Sequence, residues 1–213
     1  MHAWLSSQHV GDKVNDTVET QLSTGAHICS ALKRNAEELR LLLAQVDSYE
    51  AGVIATAQCI TRALQKGNKL LACGNGGSAA DASHLTTEFV CRFQKERRPY
   101  PAISLATHGG DLTAIGNDYQ FTEIFSRQVE AFGAPGDVLA AFTTSGRSEN
   151  VRRALETAKR MRIATIAFLG KDGGCCKGIA DIEFLIKSGT TARIQEMHKL
   201  LMHTVCELVD EEL

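Results

Sequence analysis

Four groups of residues in this 213-residue chain carry side chains suited to chemistry. The first is Gly74-Asn75-Gly76-Gly77-Ser78, which follows the apolar run Leu70–Cys73 and opens a segment of helical spacing. A strand–turn–helix of this kind presents bare backbone N–H groups at a positive helix N-terminus, where an anion is favoured. A tight connection with Ser78 as N-cap is an equally natural reading, and the two are compatible. The glycines do not follow the GxGxxG spacing, and no Lys stands at the P-loop position, so nucleotide binding has weak support. The second group is Thr143-Thr144-Ser145-Gly146-Arg147-Ser148. A lone run of hydroxyls is usually turn chemistry, with Ser148 capping the next helix. Two such turns, each ending a strand and opening a helix, would surround a phosphate with hydroxyls and N–H groups and almost no cation. That suits a sugar phosphate better than a triphosphate, which normally brings Lys and Mg²⁺.

The third and fourth groups are pairs on helices. His84 and Glu88 are four apart and share one helical face, which also carries Asp81. Gln195 and His203 are eight apart, about 80° around a helix of 3.6 residues per turn, and share a side. A single His on a helix is ordinarily a hydrogen-bonded surface or core residue. Glu88 stands beside Phe89 and Val90, and a half-buried carboxylate suits proton transfer. His, Glu, Gln and His donors also suit a zinc site. Nothing in the sequence brings the two helices together. His2, His9, His27, His108 and His198 read as structural or surface residues, with His108 in a Gly-rich loop that approaches the site. Gly116-Asn117-Asp118 ends a helical turn, where Asn and Asp cap the chain or offer polar contacts to a ligand.

The elements that must position these groups follow from periodicity. Apolar spacing predicts a helix from Val14 to about Val46, weakly interrupted at Gly25, and another from Tyr49 to Gln65. After Gly67 short apolar runs alternate with helical segments. The runs are Lys69–Cys73, Ala102–Leu105, Val138–Phe142, Thr165–Phe168 and Ile182–Ile186. The helical segments are 78–93, roughly 111–132, 148–161 and 193–212, with a short turn near 174–178. This alternation predicts an α/β fold: a doubly wound, five-stranded parallel sheet flanked by helices, flavodoxin-like, with N-terminal helices added. Residues 1–66 then form a helical extension and residues 67–213 the sheet domain.

Composition excludes several classes. With 44% hydrophobic residues the chain can build a core, and a net charge of -2 advertises neither nucleic acid nor an anionic membrane. No apolar run approaches the roughly 20 residues of a membrane span. The first residues lack the pattern of a secretory signal. Seven scattered cysteines with no CxxC pair suggest neither a disulfide framework nor a thiolate zinc site, so a reducing cytoplasm is expected. Cys73 and Cys91 are expected in the core as small apolar residues.

The motifs CGNGGSAADASHLTTEFVCRF, RRPYPAISL, LTAIGNDY, FSRQVEAFG, GDVLAAFTTSGRSENV and ARIQEMHKLLMH, in this order and spacing, resemble the phosphoheptose isomerases of the sugar isomerase (SIS) fold. The resemblance covers nearly the whole chain. It implies conversion of D-sedoheptulose 7-phosphate to D-glycero-D-manno-heptose 7-phosphate, the first step toward activated heptose for bacterial surface glycans. It implies a homotetramer, held by the N-terminal extension, with active sites between subunits. It places Asn75, Gly76, Gly77, Ser78, Asn117 and Asp118 on the substrate, and Thr143, Thr144, Ser145 and Ser148 on its phosphate. His84, Glu88, Gln195 and His203 match zinc ligands, one Zn²⁺ per subunit, and Glu88 and His203 match an acid/base pair. His108 departs from the family by standing at an acidic position. Relatives of this fold that bind the bacterial replication initiator without catalysis lack an acid at position 88, so Glu88 favours the enzyme. A sugar-phosphate-sensing regulator would add a DNA-binding segment, and none is visible. An isomerase of another sugar phosphate stays open, since a phosphate cradle does not measure sugar length.

Overall fold

The computed structural model describes residues 29–213. Its contacts group residues 42–213 into one compact unit, to which the described residues 29–41 do not belong. Of the expected first helix, residues 14–28 lie outside the described residues; residues 29–43 are helical and form α1. The remaining elements are α2 (Glu50–Gln65), β1 (Leu70–Gly74), α3 (Gly77–Val90), β2 (Ala102–Ser104), α4 (Gly109–Asp118), α5 (Ser126–Phe132), β3 (Val138–Thr143), α6 (Glu149–Arg160), β4 (Ala164–Gly170), β5 (Ile182–Ile186) and α7 (Thr191–Glu212). α2 packs on α7 and the sheet, within the same unit as the strands, although its sequence pattern groups it with the extension.

All five strands are parallel, in the order β2-β1-β3-β4-β5. β1, β3 and most of β4 are buried along their length, as expected of apolar runs covered on both faces. On one face Phe142, Phe168 and Phe184 stand in register on β3, β4 and β5 and stack at 4.5 and 4.8 Å between ring centroids. α2 and α7 cover this face. Gly52 of α2 meets Phe184 so closely that a Cβ there would fall 2.9 Å from the ring. His198 of α7 lies edge-on to Phe142 and Phe168 and donates through Nε2 to the Leu169 carbonyl at 3.1 Å. Burial pushes its pKa down to about 4, so it serves as a neutral core residue, as the sequence reading has it. On the other face Leu71, Leu139, Ala141 and Ala167 pack with Val129 of α5 and Val151, Leu155 and Ala158 of α6.

Two local expectations are corrected. Residues 111–132 are not one helix: α4 ends at Asp118, Gln120 is extended (φ -152°, ψ 154°), and a 3₁₀ turn over Phe121–Glu123 leads into α5. Apolar spacing runs on through the break, which is why periodicity misses it. Cys91, at the end of α3, is exposed, whereas Cys73 is fully buried.

The junction of α3 with α7 is held by an ion pair. Arg97, in the loop after α3, donates through Nε to Asp210 Oδ1 at 2.6 Å, with both side chains almost fully buried. The same guanidinium donates to the carbonyls of Glu88 and Phe89 at the end of α3, while Asp210 accepts from the Gln94 and Lys95 amides. Burial opposes ionisation of Asp210, but Arg97 and the two amides outweigh it and hold the carboxyl below its usual range. Asp210→Ala leaves a guanidinium buried without its partner and is expected to cost about 3–5 kcal/mol in urea unfolding. The double variant Arg97→Met/Asp210→Leu should recover most of that loss; a single-variant loss under about 1 kcal/mol would show the pair to be incidental.

Candidate active site

In a parallel sheet of order 2-1-3-4-5 the strand direction of progress reverses between β1 and β3, and a crevice opens beyond their carboxyl ends. The two polar turns singled out above lie there. β1 runs into Asn75-Gly76-Gly77, and β3 runs into Thr144–Ser148. An amide pair joins them: Asn75 Nδ2 donates to Asn150 Oδ1 and Asn150 Nδ2 donates to Asn75 Oδ1, each at 2.9 Å. Asn150, at the start of α6 and buried, is a site residue that the sequence reading missed; an Asn after a helix start has no signal of its own.

Gly76 rather than Ser78 occupies the N-cap of α3. Its φ of 56° and ψ of -122° belong to glycine, and Ser78 is a buried residue of the first turn. Gly77 is required by close approach. A Cβ there would fall 2.1 Å from Nε2 of Gln195, so the Gln195 carboxamide lies against the turn. Ser148 does occupy the N-cap of α6, but makes no capping hydrogen bond. Its hydroxyl instead meets Thr143 Oγ1 at 3.1 Å, and Thr143 and Ser145 accept from the Gly146 and Arg147 amides at 3.2 and 3.1 Å. The loop is therefore a ring of hydroxyls ahead of a helix N-terminus that Ser148 does not cap, although the Val151 amide donates to Asn150 Oδ1 at 2.9 Å; the hydroxyls and the first helix N–H groups favour a phosphate.

α3 and α7 pack side by side and bring the two helical pairs together at one point. His84 Nε2 stands 2.8 Å from Glu88 Oε1 and 3.3 Å from His203 Nε2. One donor atom from each of His84, Glu88 and His203 lies within 4.8 Å of the others. Two imidazole nitrogens at 3.3 Å share one proton or one cation. A tetrahedral zinc with bonds of about 2.0–2.1 Å has ligand atoms roughly 3.4 Å apart, which the 3.3 Å between the two imidazole nitrogens matches, and two imidazoles and a carboxylate are donors that suit the ion. Burial, His84 and Lys199 hold the His203 pKa below its ordinary value against the pull of Glu88, so the ring is neutral at pH 7 and able to act as ligand or base. Phe93 stacks on His203 at 5.6 Å and fixes its plane. Asp81, one turn before His84, is buried; burial raises its pKa, and Lys199, with Nζ 3.6 Å from Oδ1, together with His84 opposes that shift.

Gln195 makes no hydrogen bond with the three among the described residues; it meets the site at Gly77. Asn117 and Asp118 are exposed at the end of α4, where Asn117 Nδ2 donates to Asp118 Oδ1 at 2.8 Å, and neither touches the cluster or the two turns. His108 is exposed at the N-cap of α4.

The model of the SIS domain family matches residues 35–170. Phosphoheptose isomerase of Aquifex aeolicus is 52% identical over 175 residues, 82% of this chain and 92% of that protein. The chain belongs to the phosphoheptose isomerases, a family of aldose–ketose isomerases. That of Citrifermentans bemidjiense is 47% identical over 186 residues, covering 87% of this chain and 95% of the relative. Among solved structures, a phosphoheptose isomerase of Neisseria gonorrhoeae superposes with a TM-score of 0.75 at 36% identity, over 90% of this chain and 99% of that one. One from Francisella tularensis gives 0.76 at 33% identity, over 94% and 97%.

Gly77→Ala tests the contact that a phosphoheptose isomerase with this turn requires. The neighbour of the new methyl is the flexible end of Gln195, and Ala is the better helix former, so stability in urea should change by less than about 1 kcal/mol. Activity should fall at least tenfold because Gln195 is displaced. Full activity with full stability would remove Gln195 from the site.

Proposed function

We propose that this chain interconverts D-sedoheptulose 7-phosphate and D-glycero-D-manno-heptose 7-phosphate, as the first step toward activated heptose for bacterial surface glycans. The observation that carries the reading is the meeting of His84, Glu88 and His203 on α3 and α7, beside the two anion-favouring turns. The names of its relatives support the substrate class.

In this reading Thr143, Thr144, Ser145 and Ser148 hold the phosphate, and Asn75, Gly76, Gly77 and Ser78 contact the sugar. Glu88 engages His84 through Oε1, which leaves Oε2 for a proton. It removes the C1 proton of the open-chain ketose and returns it to C2, through a cis-enediol. His203 moves a proton between the carbonyl and hydroxyl oxygens, and reversibility lets either group act as acid or base. His84, Glu88, Gln195 and His203 would hold Zn²⁺. When bound, zinc supplies Lewis-acid polarisation of the substrate carbonyl. The reaction involves no net redox, so no nicotinamide is called for.

The assembly proposed is a homotetramer whose N-terminal helices hold subunits together. Asn117 and Asp118 support it: the family resemblance puts them on the substrate, yet in one chain they touch no other site residue, so a neighbouring copy would bring them in. Among the described residues no helix is long and apolar enough to cross a membrane. The free thiols support placing the protein in a reducing cytoplasm.

Glu88→Gln should leave the fold intact by circular dichroism and urea unfolding and lower turnover of sedoheptulose 7-phosphate by about 10²–10⁴-fold. Near-wild-type turnover in the purified variant would contradict the assignment of Glu88.

A further inference from the structure

Beside the hydroxyl loop, at the carboxyl ends of β4 and β5, lies a second hollow of about 740 Å³ with the opposite chemistry. Arg147, Lys171, Lys177 and Lys187 line it, with one carboxylate, Asp172. Arg147 Nη2 donates to Asp172 Oδ2 at 2.6 Å, so that acid is already matched. Among the described residues Lys171, Lys177 and Lys187 have no ion-pair partner. Leu185 adds an apolar wall. The three lysines are exposed around one hollow; like charges so grouped repel each other, and an anion placed among them relieves the repulsion.

Lys171 is held in the left-handed region at φ 57°, and its amide donates to the Ile186 carbonyl at 3.0 Å. Gly146 backs directly onto Gly173: a Cβ on Gly146 would fall 2.1 Å from the Gly173 carbonyl carbon. The hollow and the hydroxyl loop thus share a wall, with Arg147 at its rim.

We infer that this hollow binds a pyrophosphoryl group, carried by inorganic pyrophosphate or by the tail of a nucleoside diphosphate. With Arg147 paired to Asp172, three lysines remain. A single phosphate carries about -1.5 to -2 charges at pH 7 and does not balance them, whereas two linked phosphates do. The contrast with the neighbouring loop is one of design: hydroxyls and helix N–H groups there take a phosphate monoester, and cations here take the more highly charged group. Binding at the hollow does not depend on the isomerase reading.

Isothermal titration calorimetry of the full chain, without divalent metal, tests this with pyrophosphate, ADP and orthophosphate. Pyrophosphate, ADP or both should bind once per chain, orthophosphate should bind at least tenfold more weakly, and affinity should fall as salt rises. ADP binding more tightly than pyrophosphate would identify a nucleotide as the source, and the reverse order the inorganic ion. The double variant Lys171→Gln/Lys187→Gln should weaken binding by about 100-fold, a factor of about ten for each charge-assisted contact removed. Lys171→Gly, which suits the left-handed backbone and so preserves the fold, should weaken it about tenfold. Thr144→Ala should leave pyrophosphate affinity unchanged. Absence of saturable binding, wild-type affinity in the double variant, or loss of binding in Thr144→Ala would each overturn the inference.

Discussion

The buried pair of Arg97 and Asp210 is the interaction on which the site depends. The proposed catalytic groups lie on two helices separated by more than a hundred residues and must meet to within a few tenths of an ångström. α3 contributes His84 and Glu88, and α7 contributes His203 and Gln195. Arg97 binds the carbonyls that end α3, one of them that of Glu88 itself, and reaches Asp210, two turns beyond His203 on α7. Asp210 in turn holds the loop that follows α3. An isolated apolar contact between the helices would allow sliding; a guanidinium with fixed donor directions does not. The stability it adds is secondary to the register it sets.

The sheet solves the other half of the problem. Parallel strands end at one edge, and the order 2-1-3-4-5 puts the ends of β1 and β3 side by side. Both chains then turn into helices, so two helix N-termini converge on one crevice. The Asn75–Asn150 amide pair ties the turns to each other, and Gly77 lets Gln195 lie against the first of them. The anion-favouring edge and the His/Glu/His cluster are therefore not separate features. α3 starts at the Gly turn and carries His84 and Glu88 two and three turns later, so one rigid helix sets the distance from the turn's backbone to these side chains.

Much of this was legible in the residues. Apolar runs locate all five strands to within about two residues; for β1, β3 and β4 this is because a strand buried on both faces has no polar alternation to obscure it, while the half-buried edge strands β2 and β5 are short apolar runs between turn signals. The i, i+4 spacing of His84 and Glu88 correctly puts both on one face. The resemblance names His203 as their partner, but no periodicity could show the meeting, which is a tertiary contact. The interactions that enforce it were hidden for physical reasons. Arg97 sits in Gln94-Lys95-Glu96-Arg97-Arg98, which reads as a solvated charged run, and Asp210 begins an acidic tail. Only the packing of α7 on α3 buries one charge from each. Ser78 illustrates the reverse error, since a residue typical of N-caps reads as a cap whereas Gly76 takes that role in α3; Ser148 does take the N-cap of α6, but its hydroxyl turns to Thr143.

We propose that the cluster on α3 and α7 is a metal-assisted isomerisation site. It is tested most directly by incubating purified protein with sedoheptulose 7-phosphate and following aldose phosphate, before chelation, after exhaustive chelation, and after zinc is restored. Aldose formation should disappear with the metal and return with one zinc per chain. Absence of aldose in every condition would contradict the claim, as would full activity in protein shown to be free of metal.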